Sequence, residues 1–226
     1  MAKRQKIGDD KWLFLSYAVL MSDFRTLPAG RWQQTYVVQK SRFIAYAMSV
    51  KNAQEAQDFL KSVALPDATH HCYAYVTADG QKSSDNGEPA GTAGIPILQA
   101  IKQKNLLNVA VAVERYFGGI KLGTGGLARA YGEAASQVLD AVNPVLMREC
   151  VVLEFKGTYE QQASVSRLVA GFGKELAVQY ADLISWQVAI PVNQKETFIQ
   201  QLAEVQHGVI DVVVKIEQAW VEFLND

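Results

Sequence analysis

The alternation of apolar and polar residues changes along the chain and separates predicted strands from predicted helices. Residues 34–50 are rich in β-branched and aromatic side chains on both sides of a polar break at 39–42, which predicts two strands joined there. Residues 53–64 place apolar side chains at helical spacing, with Asn52 in front as a candidate N-cap and Pro66 behind. This region is therefore predicted to run strand, strand, helix.

The next predicted elements surround two glycine-rich loops. A short strand is expected at residues 70–76, a helix at 97–104 and a second apolar strand at 108–116. Thr124 is a candidate N-cap for a long helix with an apolar stripe, and this helix must end before Pro144. The order in this part of the chain is thus strand, helix, strand, helix.

From residue 148 onward the pattern predicts a second unit. Its elements run β-α-β-β-α-β, which is the ferredoxin-like split βαβ arrangement, a common small α+β domain that hosts many functions. No low-complexity linker separates the units, so residues 142–148 are only a short candidate hinge. We predict two domains at 29–146 and 147–226, preceded by an extension at 1–28.

The predicted extension begins with basic residues and continues with an apolar run at 12–21, a pattern that superficially resembles a signal peptide. Asp9 and Asp10 interrupt the basic region, no small-residue cleavage pattern follows, and ten residues are too few to span a bilayer as a helix. We therefore expect no membrane partner. The extension is predicted to be disordered or loosely docked, or to result from a mis-assigned start upstream of Met21.

The composition is that of an ordinary globular protein, with 49% hydrophobic and 20% charged residues. The net charge of −1 is unevenly divided, since residues 1–20 and 21–147 each carry +2 and residues 148–226 carry −5. An anionic partner is therefore expected to meet the middle segment. The two cysteines, Cys72 and Cys150, form neither a disulfide framework nor a zinc spacing, which predicts reduced thiols in a cytosolic protein.

Nine of the sixteen glycines lie between Gly87 and Gly132, eight of them in the stretches SSDNGEPAGTAGIP (83–96) and VAVERYFGGIKLGTGGLARAY (111–131). Such a density indicates loops of defined conformation, because glycine allows positive φ and the close approach of another chain segment or a ligand. The second stretch does not match the Walker A spacing, since Lys121 lies inside the loop, and it lacks the third glycine of the dinucleotide fingerprint. The two standard phosphate motifs are thus excluded.

The second stretch nevertheless offers a predicted anion site. Backbone N–H groups at the start of the long helix, with Arg115 and Lys121 nearby, suit a phosphate, and the alternative is a loop that packs against the sheet. Residues 102–131 carry five basic groups against the single acid Glu114, with aromatics between them. This composition suits RNA, and it equally suits a solvated helix face over core aromatics. The candidate phosphate or RNA contacts are Arg115, Lys121, Gly118, Gly119, Gly123, Gly125, Gly126 and Arg129.

The first stretch and the strand before it hold hydroxyls, carboxylates and imidazoles, but their spacing indicates no catalytic arrangement. His70 and His71 are adjacent in a predicted strand, so at most one of them faces the loop. Asp85 and Glu88 could hold Mg²⁺ weakly, or Asp85 and Asn86 could bond their own backbone in a turn. We predict no catalytic residue, no metal and no cofactor. The loop is expected to form one wall of the site through Ser84, Asp85, Glu88 and Thr92.

The two stretches, with the strand HHCYAYV just upstream, together resemble the signature of the IMPACT family, in its bacterial YigZ-type branch. The resemblance covers residues 35–146 well, and the unit after Arg148 is similar to the smaller C-terminal domain of bacterial members. Asn86 stands where the usual residue is Asp, which removes one carboxylate and weakens a metal or acid-base role. The signature residues are Ser84, Asp85, Gly87, Glu88, Pro89, Gly91, Thr92, Gly94, Pro96, Arg115, Tyr116, Gly118, Gly119, Leu122, Gly123, Gly125, Gly126 and Tyr131.

The resemblance implies an N-terminal α+β domain with the fold of the second domain of a small-subunit ribosomal protein. It also implies a ferredoxin-like C-terminal domain similar to one in elongation factor G. The family is linked to regulation of translation through its eukaryotic members, and its bacterial members are suspected to bind nucleic acid or the ribosome. A peptidase label attached to some bacterial relatives finds no catalytic set in this chain. The partner-binding domain of eukaryotic members has no counterpart before Thr35.

We therefore predict a cytoplasmic, non-enzymatic regulator associated with translation, which binds RNA or a ribosomal surface through the glycine-rich loops and basic residues of its N-terminal domain. One alternative is a hydrolase-like enzyme that acts on a phosphorylated or peptide-like small molecule through Asp85, Glu88 or a histidine. The other alternative is a protein-binding adaptor whose acidic C-terminal domain meets the partner.

Overall fold

The chain folds into two compact units that each combine helices with strands. The computed structural model describes residues 4–6, 12–14, 23–206 and 211–223. The units comprise residues 1–145 and 146–226. The predicted α+β class with two domains is therefore confirmed.

Most of the predicted N-terminal extension lies outside the described residues. Within it, β1 (Arg4–Lys6) pairs with β2 (Trp12–Phe14) in antiparallel register, and β3 spans Asp23–Thr26. Leu27 is buried in the core of the first unit, so packing begins before residue 29.

A five-stranded antiparallel sheet organises the first unit. Its strands are β4 (Arg31–Val38), β5 (Ser41–Ser49), β6 (His70–Thr77), β7 (Gly80–Ser84) and β8 (Val109–Tyr116). Their spatial order is β4-β5-β8-β6-β7. The predicted polar break is confirmed as a turn between β4 and β5 at Gln39 and Lys40, which both have positive φ. β7 was not predicted, because its residues are polar and lack apolar alternation.

Three helices cover the two faces of this sheet, and they are α1 (Ala53–Val63), α2 (Gly94–Gln103) and α3 (Gly123–Asp140). Alternate residues of the central strands point to opposite faces, so one set packs on α1 and the other on α2 and α3. Phe43 and Val111 belong to the core under α2 and α3, whereas Ala112 belongs to the core under α1. The central strand β8 is therefore buried on both sides.

Of the two predicted helix N-caps, one is confirmed and the other is wrong. Asn52 caps α1 as predicted, since its side-chain oxygen accepts a 2.9 Å hydrogen bond from the N–H of Glu55. The predicted cap of α3 is wrong, because Thr124 lies inside a helix whose first residue is Gly123. Gly123 has a φ of +71°, and this left-handed conformation directs the chain into the helix two residues earlier than a Thr124 cap would.

The second unit is a single sheet with two helices. It contains β9 (Val145–Gly157), α4 (Gln162–Phe172), β10 (Lys174–Tyr180), β11 (Ile184–Pro191), α5 (Lys195–Val205) and β12 (Val213–Phe223). The order β-α-β-β-α-β is as predicted, and the antiparallel strands lie in the spatial order β10-β11-β9-β12. The helices bury Val165 and Phe198 against Phe155 and Trp186, whose rings stack with centroids 5.6 Å apart.

In the described part of the chain, no helix is both long and apolar enough to cross a membrane. The two cysteines belong to different sheets. Cys72 lies on β6 and Cys150 on β9, both are buried, and neither forms a disulfide bond.

Candidate functional site

The two glycine-rich stretches meet at one end of the sheet in the first unit, where β8 ends and β6 begins. His70 at the start of β6 is paired with Arg115 near the end of β8. Ser84, the last residue of β7, lies against Gly94, where an added Cβ atom would come within 2.7 Å of the Ser84 backbone. α3 follows β8 after a short connection, so α2 and α3 both begin at this end.

The carboxylate of Asp85 holds the first glycine-rich loop together. Its Oδ1 accepts the N–H groups of Ala93 and Gly94 at 2.9 and 2.8 Å, and its Oδ2 accepts that of Gly91 at 2.8 Å. Burial alone would raise the pKa of Asp85, but these three hydrogen bonds outweigh burial and hold the pKa below its ordinary value. Asp85 therefore caps the N-terminus of α2 although it lies nine residues before the helix in the sequence. The helix starts at Gly94 and not at the predicted residue 97.

Glu88 of the same loop turns inward and forms a buried ion pair. Nη1 of Arg115 donates to Oε1 of Glu88 at 2.6 Å, and the hydroxyl of Tyr131 donates to the same oxygen at 2.8 Å. Burial raises the pKa of Tyr131 well above its ordinary value, so the hydroxyl remains a donor at neutral pH. One carboxylate thus joins the first loop to β8 and to α3.

Cys72 lies at the inner side of the same loop. Its thiol donates to the carbonyl oxygen of Asp85 at 3.0 Å. Burial raises the pKa of the Cys72 thiol to about 12. Because the thiolate is the nucleophilic form, Cys72 is a structural residue at neutral pH and not a catalytic nucleophile.

The two adjacent histidines point to opposite faces of the sheet, as predicted. Nδ1 of His70 lies 2.9 Å from the carbonyl oxygen of Asn86, and its Nε2 lies 3.9 Å from Oε1 of Glu88. His71 instead pairs through Nδ1 with the buried carboxylate of Glu114, on the face that α1 covers. Burial raises the pKa of Glu114, although hydrogen bonds from a backbone N–H and from His71 oppose it. Only His70 therefore belongs to the glycine-rich end.

The second glycine-rich loop is fixed to its surroundings through its backbone. The N–H of Phe117 donates to Oγ1 of Thr69 at 3.3 Å, and the N–H of Gly118 donates to Oγ of Ser41 at 3.2 Å. An added Cβ atom at Gly118 would lie only 2.0 Å from the carbonyl carbon of Lys40. Only glycine therefore permits this contact between the loop and the β4–β5 turn.

The first turn of α3 combines exposed backbone with two basic side chains. The N-cap residue is Leu122, whose apolar side chain cannot accept the first N–H groups of the helix. Gly123 and Gly125 are exposed, and an added Cβ atom at Gly125 would lie 3.6 Å from Nη1 of Arg129. Lys121 is exposed just before the helix. The helix dipole and these two cations make the start of α3 electropositive.

A cavity of about 510 Å³ adjoins this turn. It is lined by residues of β4, α2 and α3, among them Tyr36, Gln99, Gly126 and Arg129. None of the carboxylates and histidines at the glycine-rich end lines it. Within the described residues, no group of three or more His, Cys, Asp or Glu side chains is placed to hold a metal ion.

The predicted phosphate-binding residues separate into an exposed and a buried group. The exposed members at the start of α3 and in the preceding loop are Lys121, Arg129, Gly119, Gly123 and Gly125. Gly118 and Gly126 are half-buried. Arg115 is only 6% exposed, and its guanidinium is already paired with Glu88, so contact with phosphate would require that pair to open.

The residues predicted to form a loop wall mainly stabilise the loop itself. Asp85 caps α2, Glu88 is buried in its ion pair, and Oγ1 of Thr92 donates to the carbonyl oxygen of Pro89 at 2.7 Å. Ser84 is half-buried, and its Oγ accepts the N–H of Asn86 at 3.3 Å. The contribution of the β4–β5 turn to the site was not predicted, although the polar break at residues 39–42 was an available signal.

Comparison with known proteins finds relatives of this chain. The family model for the Impact N-terminal domain matches residues 39–139. The IMPACT family member YvyE of Bacillus subtilis is 34% identical over 86% of this chain and 91% of its own, and YigZ of Escherichia coli is 32% identical over 83% and 96%. A crystal structure described as that of a hypothetical protein shares 30% identity and a TM-score of 0.58, and covers 88% of this chain and 100% of its own.

Vertebrate relatives match a smaller part of this chain. Protein IMPACT-B of Xenopus tropicalis is 31% identical over 45% of this chain and 35% of its own length. The bacterial relatives, by contrast, match along most of both chains, through both units of the fold. The glycine-rich signature, the matched domain and these relatives agree, and the chain belongs to the IMPACT family.

Proposed function

We propose that the protein is a cytoplasmic, non-enzymatic regulator associated with translation, and that it binds RNA or an RNA-bearing surface of the ribosome. The observation that carries this proposal is the electropositive start of α3, where Lys121 and Arg129 accompany exposed backbone. An exposed helix start with two cations suits a phosphate group. A chain of phosphates along RNA supplies such groups repeatedly, and cations of this kind contribute most of the sequence-independent affinity.

Arg115 has an indirect role in this proposal. Its charge is compensated by Glu88 inside the protein, so it adds little to the field that attracts an anion. The ion pair instead holds the end of β8, and therefore the loop that leads to Lys121, in one position. The phosphate contacts are assigned to Lys121, to Arg129 and to the backbone near Gly123 and Gly125.

The enzyme alternative receives little support from the site. The two carboxylate oxygens of Asp85 are occupied by three backbone N–H groups, and Glu88 is buried under Arg115 and Tyr131. A hydrolase that used either carboxylate would need it to face a substrate. The adaptor alternative draws on exposed apolar side chains of the second unit, which include Leu176, Tyr180 and Ile216.

RNA binding tests the proposal directly. The full chain is titrated into fluorescently labelled mixed RNA fragments at low salt and then at increasing salt. We expect binding that weakens steeply with salt. The double substitution Lys121→Ala with Arg129→Ala should weaken binding at every salt concentration and make the slope of log K against log salt shallower by about 1.4, because each lost phosphate contact to a single strand reduces the slope by about 0.7.

A matched control separates local contacts from total charge. The double substitution Lys51→Ala with Lys61→Ala changes the net charge equally, but it lies at α1 on the opposite face of the sheet. The proposal predicts that this control binds like the unaltered chain. Absence of RNA binding at low salt, or equal loss in both double variants, would contradict the proposal. Co-purification with ribosomes that survives nuclease treatment would favour the adaptor.

A further inference from the structure

Phe117 is an exposed aromatic side chain on a fixed backbone. It is 49% exposed, although β8, which ends directly before it, is buried over its first seven residues. Its own N–H and that of Gly118 both donate to hydroxyls of neighbouring strand and loop residues. The chain therefore cannot easily turn the ring inward. The exposed face of the ring is therefore available to a binding partner.

The inner side of this ring rests on a buried cation. Cζ of Arg115 lies 5.6 Å from the ring centroid of Phe117 and 5.7 Å from that of Phe43. Among the described residues, Nε of Arg115 has no hydrogen-bond partner, whereas Nη1 is fixed by Glu88. The guanidinium therefore lies between the two aromatic rings and supports Phe117 through cation–π contact. One side of the Phe117 ring is occupied by this contact.

The surroundings of Phe117 determine which partner fits. The backbone of Lys40 lies against Gly118, Lys121 follows in the same loop, and both lysine side chains are exposed. A hydrophobic protein partner would have to bury these cations or leave them at the rim. An unpaired nucleobase offers an apolar face for the ring, and its attached phosphates complement the cations.

We propose that Phe117 is a stacking platform for an unpaired base, so that the RNA bound at this end is single-stranded, and that Arg115 is a positioning residue for this platform. This inference rests on the proposed function, because it assumes that the start of α3 binds the phosphates of the same RNA. Bases in a duplex are stacked on one another and cannot present a face to Phe117. The Phe117 platform therefore favours single-stranded RNA over duplex RNA.

The test compares short single-stranded and duplex RNA of matched length and salt. Phe117→Ala should weaken binding of the single strand by about ten-fold or more, since one base stacked on an aromatic side chain contributes about that much. It should leave duplex binding unchanged within about two-fold. Phe117→Trp should retain the affinity, and its added fluorescence, measured against the unaltered chain, should be quenched by the single strand. Ile120→Ala removes another exposed apolar side chain of the same loop and should have little effect.

Each outcome decides between distinct conclusions. Phe117→Leu preserves much of the apolar area but lacks a ring, so it should behave like Phe117→Ala; full affinity in this variant would overturn stacking. Equal loss for single strand and duplex in Phe117→Ala would also overturn it. If Lys121→Ala with Arg129→Ala weakens binding while Phe117→Ala does not, the platform is refuted and the proposed function stands. If the unaltered chain binds no RNA, both are refuted.

Discussion

Nη1 of Arg115 lies 2.6 Å from Oε1 of Glu88, and this contact joins the two glycine-rich stretches of the chain. Both side chains are almost completely buried, at 7% and 3% exposure. The pair is isolated from water and depends on its own geometry and on the additional hydrogen bond from Tyr131. Its members are separated by 27 positions in the sequence, so it fixes tertiary structure and not a local turn.

Removing one member of this pair should destabilise the first unit strongly. Glu88→Ala leaves the guanidinium of Arg115 buried without its counter-charge, and we expect a loss of about 3 to 5 kcal/mol in the free energy of unfolding. Urea denaturation followed by circular dichroism measures this loss. Lys61→Ala, which alters an exposed side chain on α1, should change stability by less than about 0.5 kcal/mol. A loss below about 1 kcal/mol for Glu88→Ala would contradict the assignment.

The cap formed by Asp85 predicts a pH dependence of stability. The folded state holds the pKa of Asp85 below its ordinary value of 3.8, because three backbone hydrogen bonds overcome the opposing effect of burial. A carboxyl group of this kind stabilises the fold fully above the unfolded pKa and loses that contribution as pH falls through the folded pKa. Asp85→Ala should therefore cost about 2 kcal/mol at pH 7, and this difference should shrink below about pH 4.

Asp85→Asn provides the matched control for this prediction. Asparagine keeps one acceptor oxygen near Ala93 and Gly94 but does not titrate. Its stability should therefore fall less between pH 5 and pH 3 than that of the unaltered chain, as urea denaturation over that range would measure. A difference between Asp85→Ala and the unaltered chain that stays constant down to pH 2 would show that the carboxylate does not act as described.

Two neighbouring glycines should respond differently to the same substitution. Gly118→Ala would place Cβ 2.0 Å from the carbonyl carbon of Lys40, whereas Gly119 has no atom within 4 Å of its added Cβ and only a positive φ of +86°. We expect Gly118→Ala to cost about 3 kcal/mol or more through the clash, and Gly119→Ala to cost about 1 to 2 kcal/mol through backbone strain alone. Thermal and urea denaturation would rank them, and equal costs would contradict the close contact.

The features that the sequence predicted correctly depend on residues close together in the chain. Alternation in a strand placed His70 and His71 on opposite faces, and the N-cap role of Asn52 requires only a residue three positions away. The polar break at 39–42 similarly became a turn. Local patterns carry these predictions because the backbone geometry of strands, caps and turns is set by immediate neighbours.

The features that were missed depend on distant residues. The start of α2 at Gly94 requires the carboxylate of Asp85, nine positions away. The N–H of Gly118 is bound by the hydroxyl of Ser41, 77 positions away. No local pattern contains such contacts. For Arg115 a signal was present, because alternation along β8 places it on the same face as the buried Val113.

Two helices begin at the same end of the first unit, but within the described part of the chain a carboxylate occupies only one of these starts. Asp85 neutralises the start of α2, while the start of α3 remains electropositive through peptide groups as well as through Lys121 and Arg129. Peptide dipoles do not titrate and cannot be acetylated. Part of the attraction for an anion is therefore permanent, and changes of pH or lysine modification would tune its strength without removing it.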